Sequence, residues 1–251
     1  MPDQTRLPAG LRPVTRSALE RYVATLRGLF AENLVSVALY GSAARDDYVP
    51  GVSDLNVLVV LQDAHIKQVK KAADVSRQMR DKHTIEPRFM SLEMIKDASD
   101  VLPMAFLDMQ EHYILLYGQD VLKDVVIERG NLRGQVEYQL RFILLRMRNL
   151  YLFSSHDQAL MTGQLTSSFT NFLHLLKGLF RLHEEEPPAR HEYIITRSAE
   201  RFGLKGELMA QLLDLKLKRK RFSREQVEAL YEGYLDLIED TSAIVDKLAV
   251  G

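Results

Sequence analysis

The chain of 251 residues contains no cysteine. Disulfides and thiolate metal sites are therefore excluded, and a reducing interior fits the lack. It also has no dominant sign of charge: 33 basic residues face 34 acidic ones. Attraction of the whole molecule to nucleic acid or to an anionic membrane is excluded, so any such contact needs a local patch. No apolar run reaches the roughly 20 residues that span a bilayer. The first 13 residues lack the apolar core of a secretory signal. The seven histidines include no pair at i, i+4, the spacing that holds a metal on a helix face. There is no internal repeat. A soluble, cytoplasmic protein is expected, bound neither to membrane nor to nucleic acid. Its 46% hydrophobic content is enough for the core of one large domain or two modest ones.

Hydrophobic periodicity divides the chain. A lead-in with three prolines precedes Ser17-Ala18-Leu19-Glu20, which reads as a capping box. Leu19, Tyr22, Val23, Leu26, Leu29 and Phe30 follow at helical spacing, so a first helix is expected to about residue 32. Residues 34–40 read as a strand ended by Gly41, and residues 55–61 as a second strand buried on both faces. A polar helix is expected over 63–82 on Ile66, Val69, Ala73 and Met79. A third strand follows over 84–90, where Pro87 suits a sheet edge. Short helices over 91–99 and 103–111 and a fourth strand over 112–117 complete an α/β half. Beyond Leu122 every apolar stretch has helical period, the pattern of a bundle. The expected domains are 1–122 and 123–251.

Chemistry concentrates between the first two strands. Gly41 allows a sharp turn and close backbone approach to a ligand. Ser42 offers a hydroxyl and an N–H to a phosphate, and a helix starting there would add partial positive charge. Arg45 is placed to pair with a phosphate oxygen. Asp54 and Asn56 are two apart on a strand and so share a face. Two carboxylates at that spacing would clamp a magnesium ion; here one donor is a neutral amide. Glu86 supplies a third oxygen if its strand is the neighbour. Asp46 and Asp47 are the loop residues that could replace the missing charge.

The pattern Gly-Ser, a loop, Asp-x-Asn on a strand and Glu86 within Ile85-Glu86-Pro87-Arg88-Phe89 resembles the polymerase-beta-like nucleotidyltransferase superfamily. With an all-helical second half, the chain is similar to the aminoglycoside nucleotidyltransferases, the kanamycin and streptomycin/spectinomycin enzymes. The resemblance implies an α+β fold: a mixed sheet of about four or five strands with flanking helices, then an all-α bundle. It implies transfer of a nucleoside monophosphate, AMP from ATP, to a small hydroxyl acceptor between the domains, with Mg2+ bridging triphosphate and carboxylates. Carried over, Gly41 and Ser42 hold phosphates, Asp54 is catalytic and a metal ligand, and Glu86 is a metal ligand or general base. Asn56 takes a metal-ligand place that the family gives to an aspartate. That departure leaves a second reading open: a degenerate member that binds nucleotide as a sensor or regulator.

In the helical half the resemblance makes Lys177 a nucleotide-binding candidate, since related enzymes reach the triphosphate with basic residues from that domain. A lysine snorkelling from the edge of a buried stripe is the plainer account. The basic run 216–221 lies at an expected helix end, where cations offset the dipole.

Overall fold

The computed structural model describes residue 7 and residues 11–45 and 54–248. Two compact units divide the chain, Met1–Glu128 and Arg129–Gly251.

In the first unit, α1 (Pro13–Phe30) leads into β1 (Leu34–Tyr40), and β2 (Leu55–Leu61) follows. Then come α2 (Ile66–Val69), α3 (Ala73–His83), β3 (Ile85–Ser91), α4 (Leu92–Asp97), α5 (Pro103–Glu111) and β4 (Tyr113–Gly118). The four strands form one mixed sheet in the order β3-β2-β1-β4. β1 is antiparallel to both β2 and β4, whereas β2 and β3 are parallel. A parallel pair needs a crossover connection, which α2 and α3 provide. Pro87 lies on β3, an edge strand as its missing N–H requires.

Both faces of the central strands are covered. Val37, Leu39, Val57 and Val59 pack with Leu19, Tyr22 and Leu26 of α1. Ala38, Tyr40, Leu58 and Val60 pack with Ile95 of α4 and with Phe106 and Met109 of α5. Beyond the irregularity at Leu34–Ser36, strand alternation therefore puts the even-numbered residues of β1 and β2 on the α4/α5 face.

Two helices depart from their expected form. α1 starts at Pro13, not at the Ser17 box. Proline at the first helical position has no N–H to satisfy and a preset φ, so it starts the helix earlier. The expected single helix over 63–82 is two helices separated by a 3-10 turn at Lys70–Ala72. The tighter turn re-phases the apolar face: Ala72 is buried, with Val75 and Met79 packed beside it, while Ile66 is 58% exposed.

The second unit is wholly helical: α6 (Arg129–Ser154), α7 (Gln158–Leu182), α8 (His191–Phe202), α9 (Gly206–Lys216) and α10 (Arg224–Asp246). α7 is its centre, with Leu165, Phe169, Phe172, Leu176 and Phe180 buried. Asp157 accepts hydrogen bonds from the N–H groups of Ala159 and Leu160 and starts α7. Ser223 and Gln226 form a reciprocal capping box on α10. Among the described residues no helix is long and apolar enough to cross a membrane.

Candidate nucleotide-binding site

β1 ends in the α4/α5 face at Tyr40, and the chain turns at Gly41 with φ +77°. The Gly41 N–H donates to the His112 carbonyl at 3.1 Å, and its own carbonyl accepts from the N–H groups of Ala44 and Arg45. Left-handed φ is what demands glycine here. A Cβ at this position would stand 3.4 Å from the Asn56 amide nitrogen, so that amide lies over the turn.

Ser42 lies in a single 3-10 turn, Gly41–Ala43. Over the described residues to Arg45 no α-helix starts at Ser42, so among them an anion there is met by the N–H groups of a 3-10 turn rather than by a helix terminus. Arg45 is half-buried, and its guanidinium donates to the Glu111 carboxylate of α5 at 3.4 Å. A phosphate would have to share this cation with Glu111.

Asn56 and Glu86 are register partners across the parallel β2–β3 pair. Residues paired in register face the same side, so amide and carboxylate stand abreast on the α4/α5 face, next to the turn. Asp54 stands one residue before β2 and is exposed. Lys177 belongs to the second unit, where it lines a cleft with His174. Asp46 and Asp47 lie outside the described residues.

Three further groups share the α4/α5 face. Burial pushes the Tyr40 hydroxyl above its ordinary value; Arg88, which donates a hydrogen bond to it, pulls the other way, and Asp108 adds to the rise. Arg88 was visible in principle, since it follows Glu86 by two on the same strand and so shares its face. Asp108 and Glu111 had no such signal, because α5 is brought to the site by packing alone.

Asp54 and Glu86 carry carboxylate oxygens and Asn56 an amide oxygen, hard donors of the kind that could hold a magnesium ion beside substrate phosphates. Among the described residues no group of three or more acidic or histidine side chains is placed to hold a metal.

No protein-family model and no curated sequence matches the chain. In structure it is similar to spectinomycin adenyltransferase AAD(9) from Enterococcus faecialis, solved with ATP and spectinomycin. The TM-score is 0.59 at 14% identity, over 89% of this chain and 99% of that one. The fold is aminoglycoside nucleotidyltransferase-like. The likeness extends over nearly the whole of that chain and so takes in parts of both units of this one.

Proposed function

We propose that the protein is a nucleotidyltransferase that moves AMP from ATP to a hydroxyl group of a small acceptor. The observation that carries this reading is Asn56 abreast of Glu86 beside the Gly41 turn, in a fold shared with an adenyltransferase. Turn N–H groups and the Ser42 hydroxyl bind phosphate oxygens. Glu86 accepts the proton of the acceptor hydroxyl as its oxygen bonds to the α-phosphorus. The bond from the α-phosphorus to the bridging oxygen breaks, and pyrophosphate leaves in line. Asp54, Asn56 and Glu86 would hold one Mg2+, which supplies positive charge against the triphosphate.

The test is pyrophosphate release and adduct mass with ATP, Mg2+ and a panel of hydroxyl-bearing acceptors. Glu86→Gln is expected to abolish turnover and leave ATP binding in place. An undiminished rate in that variant would sink the assignment of the base.

Asn56 and the Arg45–Glu111 pair favour a second reading, a nucleotide sensor without turnover. A ligand that binds only the folded state raises its melting temperature by mass action. A shift with ATP but no pyrophosphate, in the wild type and in Asn56→Asp, would favour the sensor. No shift with any nucleoside triphosphate would remove both readings.

A further inference from the structure

α6 is apolar on two opposite faces. At about 100° per residue, Leu132, Val136, Leu140, Ile143 and Met147 share one face, and all five are buried in the helical unit. Tyr138, Phe142, Leu145 and Leu152 lie on the opposite face, with Phe153 at its edge, and these five are between 51% and 85% exposed. The rings of Tyr138 and Phe142 stack with centroids 6.2 Å apart, and they also form part of the wall of the cleft between α6 and α7. Tyr138, Leu145 and Leu152 recur every seven residues, the spacing of a helix–helix seam. A helix that is apolar all round is ordinarily buried all round. Here one side is left in water.

A contiguous apolar stripe of this kind marks an interaction face. With roughly 200 Å2 for a whole aromatic side chain and somewhat less for leucine, the five leave on the order of 600 Å2 in water. The stems of Arg141, Arg146 and Arg148 flank the stripe and carry that area towards the roughly 800 Å2 that each partner of a stable interface buries. The flanking charge does not oppose self-association. Arg141 donates to Asp246 at 2.9 Å and Arg148 donates to Glu239, both acids of α10. Two copies therefore meet with these two cations already neutralised within each chain.

We propose that a second copy of the chain covers this stripe, α6 against α6 across a two-fold axis. Such a closure uses the same patch on both subunits. The antiparallel arrangement is the one that fits. It puts Leu145 on the axis and sets Tyr138 against the partner's Leu152, so that large meets small along the seam. It also opposes the two helix dipoles. A parallel arrangement would force Tyr138 onto its own copy. The pairing is independent of the transferase reading, since it uses no residue of the Gly41 site.

Analytical ultracentrifugation of the full chain over a range of concentrations tests it. A species of twice 28.8 kDa should replace the monomer as concentration rises into the micromolar range. Leu145→Glu, at an exposed position that leaves the core untouched, should raise the dissociation constant at least about thirtyfold, the loss of one central anchor. Its circular dichroism should match the wild type, and Leu152→Glu carries the same test should Leu145→Glu fail to fold. Orientation is read with thiols, because the chain has no cysteine of its own. In mild oxidant, Leu145→Cys should link two copies through a disulfide, and so should the double variant Tyr138→Cys, Leu152→Cys. Tyr138→Cys alone should link far more slowly. A monomer at every concentration would overturn the proposal and leave the stripe to another occupant. An unchanged dissociation constant in both glutamate variants would also overturn it, as would a faster link through Tyr138→Cys alone than through Leu145→Cys.

Discussion

Asn56 brings a neutral amide to a position whose neighbour, Glu86, brings a carboxylate. At an effective dielectric of 20, two unit charges 4 Å apart interact by about 4 kcal/mol. One missing charge is therefore enough to decide whether a dication stays. Asn56→Asp is expected to raise Mg2+-dependent turnover at least about tenfold. It should also lower the melting temperature in EDTA, where two carboxylates repel, and raise it in Mg2+; a scan in each buffer reads both signs. Gly41 is the other decisive residue. Its φ of +77° makes Gly41→Ala cost about 1–2 kcal/mol in urea unfolding, and ATP affinity should fall as the turn N–H groups move.

At the scale of elements, the connector before α8 is held by charge. Glu185 accepts from Arg197 at 2.9 Å and from Arg201 at 2.6 Å, and the Arg201 hydrogen bond leads in holding its carboxyl below the ordinary value. A carboxylate whose folded pKa is depressed stabilises the fold above its unfolded pKa, and this contribution is lost as pH falls through the folded value. Protection factors in α8, exchange rates corrected for their intrinsic pH dependence, should therefore fall as pH drops below about 4.5, and Glu185→Gln should flatten that response. Strands and helices differed in how far they could be read from sequence. β1 and β2 were legible to the residue because both faces are apolar and Gly41 marks the end of β1. The start of α1 was not, because Pro13 offers a start signal that competes with Ser17. The α2–α3 break was not either, since no glycine or proline marks it. The site followed the same division. Gly41 could be placed by the end of β1 and Asn56 by strand period, whereas Glu86 comes beside Asn56 only because β3 pairs with β2. The pairing of Arg45 with Glu111, 66 residues apart, depends on α5 docking against the sheet, which local pattern does not encode.

At the scale of the molecule, both units bury phenols in the neutral state. Burial pushes Tyr22 up to about 12 in the first unit and Tyr231 to about 12 in the second, and partial burial, with the Asp120 carboxylate that its hydroxyl donates to, brings Tyr113 to about 12. Tyr234 is raised as well, chiefly by burial. An acid whose folded pKa is raised favours folding fully below its unfolded value, near 10. That stabilisation is lost as pH climbs from the unfolded to the folded value. Alkaline unfolding between about pH 10 and 12 is thus expected in both units, followed by phenolate absorbance; the Tyr231→Phe variant should shed its share of the effect in the helical unit. The stacked Tyr138–Phe142 pair has an optical consequence. The chain contains no tryptophan, so Phe142→Trp would install a single indole on the wall of the cleft, against a background of tyrosine emission. Its colour and quenching would report the wetting of that wall in real time and without a label.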